Sequence, residues 1–579
     1  MFKKLSLLLA AGLLTGLHSI HAQETLFRQV ADTKTDTHVE AIGLFSSPSL
    51  GGYHPVRVVI SNNQARPHSV ALDFTDATSY DDSLSSSSSF RFTAEPGTTV
   101  THDILVPLCA QNGVMNYNSF VVKLKGSMGE TQNNSSSVFT AEQPQVLLSN
   151  TLYTPNASAL DTAVSAHTGS TSYGSSDEFS SRFDPKQLPD DWRAFSGFDT
   201  LILTDTDWAL IPPGPRNAII SWLRLGGHLV LYTTTSVTRP AIGIPEDLSF
   251  GQVDIQPISQ DLRLKAKKTV ALVFDKRESN SRIDSVSKDF KRSWPIQDAF
   301  GEKSFNYVLF ILILIAFGII VGPVNLFVFA KSGRRHRLFF TTPLISIITS
   351  ILLIVLIIFQ DGFGGEGTRI VLMEVRPDEN QNAAFIHQEQ FSRTGVMASS
   401  GFTIDTPVLI VPVPIDSSRW ARFTDNYSTR GNFDLQPDGG KLFASGSWFQ
   451  SRSEQGQLIT AVVPTRGRIE ATARPGVLVS TFDFPLETLL YRDSSGQWHR
   501  AENVTKGHEI KLSPVDPTMI LPTLNEYSAR FTKRNRSYFT KIQDRSDHFI
   551  ALSSSAPAIE THPGIDWKTS TIITGPIAR

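Results

Sequence analysis

The sequence predicts a multidomain membrane protein: a β-sandwich, an α/β domain with a parallel sheet, a two-helix transmembrane hairpin, and a C-terminal β-rich domain. Three observations carry this reading. Two long uncharged apolar runs flank one short basic island. Short alternating strands fill the chain before them, and that rhythm changes near residue 144 to continuous apolar strands separated by a helical pattern.

The apolar runs are the firmest part. From Tyr307 to Ala330, YVLFILILIAFGIIVGPVNLFVFA carries no charge over 24 residues. At 1.5 Å per residue, that is enough to cross a hydrocarbon core of about 30 Å. LFFTTPLISIITSILLIVLIIF, from Leu338 to Phe359, does the same. The first helix is assigned to 306–330, the second to 338–360. Between them the segment 331–337, KSGRRHR, holds Lys331, Arg334, Arg335 and Arg337. Basic residues in short loops stay on the cytoplasmic side, so the island orients the hairpin. Within the first helix, Gly318 and Gly322 clear a stripe for close helix approach. Pro323 frees the carbonyl of Ile319, and Asn325 needs a polar partner in the second helix, with Thr341, Thr342 and Ser346 as candidates.

Residues 1–22 have Lys3 and Lys4 before an apolar run and end on Ala22, the shape of a secretory signal. Signal and island agree that 23 to about 300 and 366–579 both face the periplasm of a bacterial inner membrane. At 579 residues the chain exceeds one core, and its 53 basic against 55 acidic residues leave a net charge of -2. No overall field attracts polyanions, so nucleic acid is not an expected partner. The one cysteine, Cys109, excludes an intramolecular disulfide and reads as a small buried thiol at the end of a strand.

Within 23–142, VRVVIS, SVALDF, FRFTA, ILVPL and FVVKLK alternate as strands of an immunoglobulin-like β-sandwich. The low-complexity run SLSSSSS, 83–89, reads as an exposed loop tip. Within 143–300, QVLLS, TLILTD and HLVLYT are continuous apolar strands. PPGPRNAIISWLRLGG is a helix opened by prolines and stopped by Gly226 and Gly227. Asp205 and Asp207 fall at the carboxyl end of TLILTDTD, where open α/β sheets bind ligands, and are the candidate ligand site. The competing assignment has Asp207 cap a turn and Asp205 bond a loop.

LPDDWRAFSGFDTLILTDTDWALIPPGPRNAIISWLRLGGHLVLY, 188–232, resembles the glutamine-amidotransferase-like (flavodoxin-like) domain of bacterial envelope proteins. Together with the Gly-Pro-x-Asn first span and its basic loop, the chain is similar to a family of functionally uncharacterised bacterial inner-membrane proteins. More loosely it is similar to auxiliary subunits of gliding-motility ABC transporters. The resemblance implies an amidotransferase-like fold. True amidotransferases place a Cys nucleophile on the turn after a strand, where this chain reads TTTSVTRP, so no catalytic residue is expected.

From 366 to 579 the pattern is again strand-like, in RIVLMEV, PVLIVPV, GVLVSTFDF, ETLLYRD and HEIKLSP, with few helical periods. No metal-ligand spacing or phosphate loop emerges, so no cofactor is expected. The expected function is non-enzymatic: an envelope protein held in the lipid bilayer, presenting periplasmic domains to a periplasmic or inner-membrane protein partner or to a glycan. The alternatives are an accessory subunit of a transport system and a catalytically altered hydrolase.

Overall fold

The computed structural model describes residues 24–48, 51–78, 84–108, 116–139, 144–168, 178–235, 238–274, 294–301, 307–377, 382–413, 431–474 and 476–578. The signal-like segment, Cys109 and Ser236 lie outside them. The fold is β-rich and multi-sheeted, with two helices long and apolar enough to cross a membrane.

The first lobe is a sandwich. Strands Glu24–Asp32, Thr37–Gly43, Tyr53–Asn62 and Thr98–Pro107 form one antiparallel sheet. Facing it are His68–Thr78, Leu84–Ala94, Asn116–Gly126 and Thr131–Phe139. Val58 and Ile60 from the first sheet meet Leu72, Phe74 and Val122 from the second in one core. The Ser run is not a loop tip. Ser85 to Ser89 lie within the strand Leu84–Ala94, and Ser86 and Ser88 are buried. The run pairs in parallel with Gly431–Asp438, a strand from beyond both apolar helices. Polar side chains close that seam: Ser85 Oγ donates to Asn432 Oδ1 at 2.9 Å, Ser87 Oγ to Asp434 Oδ1, and the Ser89 N–H to Gln436 Oε1 at 3.0 Å. Small hydroxyl side chains fit where two strands must approach and bond laterally, and composition alone does not reveal that partner.

The second lobe is a five-stranded parallel sheet. In sequence order its strands are Val146–Ser149, Ser181–Phe183, Thr200–Thr204, His228–Thr233 and Gln252–Pro257, and in space they run 2-1-3-4-5. Continuous apolar strands follow from cover on both faces. Leu201, Leu203, Leu229 and Leu231 pack on Ile219, Trp222 and Leu223 of the helix Pro213–Arg224. The alternate residues Ile202 and Val230 pack with Leu152, Leu160, Val164 and Val270 on the other side. At the end of Pro213–Arg224, Gly226 takes a φ of 103°, and a Cβ there would fall 2.0 Å from the Tyr538 hydroxyl. The Gly-Gly stop thus ends the helix and admits a side chain from the C-terminal part.

Along their most apolar stretches the two long helices, Tyr307–Phe329 and Arg335–Asp361, bury no residue. Phe339 and Phe359 are 81% and 84% exposed. Such surfaces are costly in water and ordinary in lipid. Asn325 is fully buried between the helices; its Nδ2 donates to Thr342 Oγ1 at 2.9 Å and its Oδ1 accepts from Thr341 Oγ1 at 2.6 Å. Pro323 sits in a π-helical stretch, Ile320–Phe329, where the Ala330 N–H reaches the Asn325 carbonyl at 2.9 Å. Gly318 and Gly322 have nothing within 4 Å of where a Cβ would stand, so their stripe packs against no described part of this chain.

After the hairpin comes a nine-stranded sheet. Its centre holds Gly365–Pro377 between Asn382–Thr394 and the final strand Ile565–Pro576. Two helices, Pro517–Ala529 and Lys533–Gln543, interrupt this β-rich region. Asp516 caps the first, accepting from Thr518 N, with Pro517 at its first position. The second buries Asn535, Tyr538, Phe539 and Ile542, a helical stripe hidden because it opens on a polar residue.

His54 lies fully buried in the sandwich, and neither ring nitrogen has a hydrogen-bond partner among the described residues. Burial pushes its pKa down to about 3. Unfolded histidine, near 6.5, takes up protons first, so stability is full above about pH 6.5 and falls as the pH drops toward 3. Between pH 7.5 and pH 5 this one residue should cost about 2 kcal/mol. Thermal unfolding of detergent-solubilised protein at the two pH values should show His54→Leu with a distinctly shallower acid loss than the parent; an identical slope would contradict the assignment.

Candidate functional site

The central strand Asn382–Thr394 is unusual in burying polar residues on both faces. His387, Gln388, Glu389 and Gln390 are all less than 10% exposed. Buried polar groups must be hydrogen-bonded or they cost about 1–3 kcal/mol each. On one face Gln388 Nε2 donates to Gln390 Oε1 and to the Ile559 carbonyl, each at 2.9 Å, and Gln390 Nε2 donates to Gln457 Oε1 at 2.9 Å. That ladder is closed and leaves nothing for a ligand.

The other face carries Glu389, which has no exposed surface. Four donors converge on its carboxylate: Trp294 Nε1 at 3.0 Å, the Thr532 N–H at 3.0 Å, Thr532 Oγ1 at 2.7 Å and Asn535 Nδ2 at 2.7 Å. Thr532 is the N-cap of Lys533–Gln543, so the carboxylate occupies the anion-favouring end of that helix. Burial raises the Glu389 pKa, and the donated hydrogen bonds oppose it. Trp294 precedes the first apolar helix and is itself fully buried. Its ring contributes about 5 kcal/mol of apolar burial, against about 1 kcal/mol for the hydrogen bond that aims it.

Beside Glu389 a cavity of about 90 Å³ opens between the parallel-sheet lobe, the nine-stranded sheet and the start of Lys533–Gln543. Its apolar wall is Trp192, Phe198, Trp222, Leu409, Val411 and Leu458, and its polar wall includes Ser196, His387, Thr460, Thr532, Arg534 and Asn535. His387 and Thr460 are direct cross-strand partners on one face. Phe250 stacks on Tyr538 at 4.8 Å and meets the His387 ring edge-on at 5.3 Å, which fixes the imidazole. Burial, and then the charge of Arg534, push His387 down to about 3, so it is neutral at neutral pH. Burial also disfavours the Arg534 charge, but the Tyr538 hydroxyl and Asp199 more than compensate and raise its pKa.

A second polar cluster clamps the lobes together. Arg376 bridges Glu374 at 2.5 Å and Asp247 at 2.8 Å, and Arg545 reaches Glu374 at 3.3 Å. Ser249 also hydrogen-bonds Glu374. Burial alone would raise the Asp247 pKa, but hydrogen bonds from His548, Arg376 and the Ser249 N–H hold it well below the usual carboxylate range. This contribution is present above about pH 4 and is lost in stronger acid.

The sequence-selected aspartates lie elsewhere. Asp207 is buried in a capping box: Oδ2 accepts from Ser149 Oγ at 2.7 Å and from the Thr204 N–H at 3.2 Å, and Oδ1 from Thr151 Oγ1 at 2.7 Å. Asp205 accepts from the Thr206 N–H at 2.9 Å. Ser149 and Thr204 end the two strands that flank the topological switch point, so this network fills the crevice where such sheets usually bind ligands. The cavity is at the opposite, amino end of the same strands, about 15 Å away, beside Phe198 and Gly227. His228 is structural, with Nε2 2.8 Å from Asp254 and Nδ1 3.3 Å from Thr200. Sequence analysis did not select His387, Glu389, Thr460 or Arg534; the available signal was four consecutive polar residues, His387 to Gln390, between the apolar pair Phe385–Ile386 and Phe391.

No family model matches the chain, and no curated protein matches it. Among solved structures, a calcium-binding mutant of Bacteroides uniformis beta-glucuronidase 2 aligns over 45% of this chain and 28% of its own, at 6% identity and a TM-score of 0.13. A family 123 glycoside hydrolase from Clostridium perfringens aligns over 32% of this chain and 43% of its own, at 9% identity and a TM-score of 0.13. This chain therefore spans less than half the length of either, and overlaps at this level carry no argument about fold or activity.

Replacing Glu389 by Leu keeps the volume but strands four donors in a dry interior. We expect Glu389→Leu to lower stability by about 3 kcal/mol or more, read as the unfolding midpoint of the solubilised protein. A change under about 0.5 kcal/mol would show that the carboxylate is not the junction described.

Proposed function

We propose that this chain is a non-enzymatic protein of the bacterial cell envelope, anchored in the inner membrane by its helical hairpin and presenting a periplasmic binding body to a partner protein or a glycan. One observation carries the reading. The strand Leu84–Ala94, before the hairpin, and the strand Gly431–Asp438, after it, are neighbours in one sheet. Tyr53 Oη likewise donates to the Val408 carbonyl at 2.8 Å across the same divide. Parts of a chain that share a sheet occupy one compartment, so two helices between them must leave the body and return to it, as a hairpin does.

The hairpin is rooted at both ends in that body, as expected of an anchor that transmits position. Trp294 is held by Glu389, and Asp361 at the end of the second helix pairs with Arg452 at 3.1 Å. The basic island Lys331 to Arg337 supports a cytoplasmic turn. The resemblance to an amidotransferase-like domain is compatible with the strand order 2-1-3-4-5. The non-enzymatic reading rests on the missing Cys nucleophile. A second reading, an accessory subunit of a transport system, is favoured by Gly318 and Gly322, whose stripe is left open to a helix of another chain.

Thiol labelling tests the topology in a background with Cys109 replaced by Ser. In intact spheroplasts a membrane-impermeant maleimide should modify Ser494→Cys, on an exposed turn, and should reach Ser332→Cys, in the basic island, only after permeabilisation. Labelling of Ser332→Cys in intact spheroplasts would overturn the orientation.

A further inference from the structure

We propose that the cavity is a binding site for a small organic anion, a monocarboxylate with a ring or other apolar body, whose carboxylate is met by Arg534 with Thr460 and His387 beside it.

Of the residues lining the cavity, Arg534 alone is charged at neutral pH. Its Nε donates to Tyr538 Oη at 2.7 Å, which fixes the guanidinium plane. No acceptor among the described residues is bonded to its two Nη groups. A half-buried guanidinium with one edge tied and the other open is the fork that carboxylates match. His387 is 7% exposed, and its Nε2 has no hydrogen-bond partner among the described residues. Being neutral, it can donate from one ring nitrogen without adding charge. Thr460, directly across the strand pair from it, offers a hydroxyl.

Asp199 favours the Arg534 charge, but the side-chain bond that Arg534 makes is to the Tyr538 hydroxyl. Glu389 is occupied by its four donors, and Asp199 Oδ2 accepts from the Gln145 N–H at 2.9 Å. One cation favours one negative charge over a phosphate dianion. Trp192 and Trp222 provide the apolar wall, so the rest of the ligand is a ring or hydrocarbon. A cavity of about 90 Å³ is smaller than the roughly 150 Å³ that encloses benzene, so it takes the carboxylate and one edge of the apolar body, with the remainder lying in its open mouth. Buried polar groups and an apolar wall converging in one cleft are the usual makeup of a small-molecule site.

This inference rests on the reading of the periplasmic body as a binding body, and its test is independent of topology. The probes are benzoate, its neutral isostere benzyl alcohol, and inorganic phosphate, titrated into the full-length detergent-solubilised chain while tryptophan fluorescence is followed. Benzoate is expected to give a saturable change, at least tenfold tighter than benzyl alcohol, with phosphate weaker than benzoate. Arg534→Gln should weaken benzoate at least tenfold and leave benzyl alcohol within twofold. Thr460→Val should weaken benzoate a few-fold, and Asp205→Asn, at the far end of the sheet, should change neither. If Arg534→Gln does not fold, the ratio of benzoate to benzyl alcohol in the parent and in Thr460→Val decides. Equal affinity for the two ring compounds, phosphate binding tighter than benzoate, or no saturable benzoate binding each overturns the proposal. The thiol-labelling result stands or falls separately, so loss of the ligand site is distinguishable from loss of the membrane reading.

Discussion

The structure depends on one buried carboxylate. Glu389 sits mid-strand in the nine-stranded sheet, fully enclosed, and its oxygens take hydrogen bonds from the segment that enters the hairpin and from the cap of the helix Lys533–Gln543. An enclosed carboxylate is tolerable only when its lone pairs are filled, so three stretches distant in sequence are constrained to meet at one point. The helix so placed brings Arg534 to the cavity and Tyr538 beneath Gly226. Displacing Glu389 would therefore disturb the segment that leads to the first apolar helix, the lobe contact and the cavity together.

A second constraint operates at the periphery. The seam between the Ser run and Asn432, Asp434 and Gln436 is built from exposed and half-buried polar contacts, each worth about 1 kcal/mol or less. It does not hold the body together by strength; the shared core does, where Phe45 and Tyr53 of the sandwich pack with Phe385, Leu409 and Val411 of the C-terminal sheet and with Trp222 of the parallel-sheet lobe. The seam instead specifies register, because a run of serines offers no apolar alternation to fix it.

What was legible in the sequence follows from which forces are local. The apolar helices could be read because the length of an uncharged run is a property of the run itself, and Asn325 reached toward Thr341 and Thr342 because few polar groups exist at that depth. The parallel strands could be read from TLILT and HLVLYT, whose unbroken apolarity demands cover on both faces. The Ser run could not, because a run of serines reads as an exposed tip, whereas it is closed on one edge by the neighbouring strand His68–Thr78 and on the other by Gly431–Asp438, more than 340 residues away. The strand containing His387 to Gln390 was missed for the same reason: polar composition argues for solvent, and only the assembled donors from Trp294, Thr532 and Asn535 make it an interior strand. The site reading from Asp205 and Asp207 followed the rule for carboxyl ends of parallel strands, whereas Ser149 and Thr151 fill that crevice locally and the cavity forms at the other end, where a second domain supplies its remaining walls.

The central claim is that the chain before and after the hairpin forms one body on one side of a membrane. Ser85 and Asn432 are register partners on adjacent parallel strands, close enough for a disulfide. With Cys109 replaced by Ser, the double variant Ser85→Cys, Asn432→Cys should be oxidised to an intramolecular crosslink by copper phenanthroline in native membranes, giving a reducible mobility shift on a gel. Absence of that crosslink, with both thiols still reactive toward maleimide after permeabilisation, would contradict the shared sheet and the hairpin that depends on it.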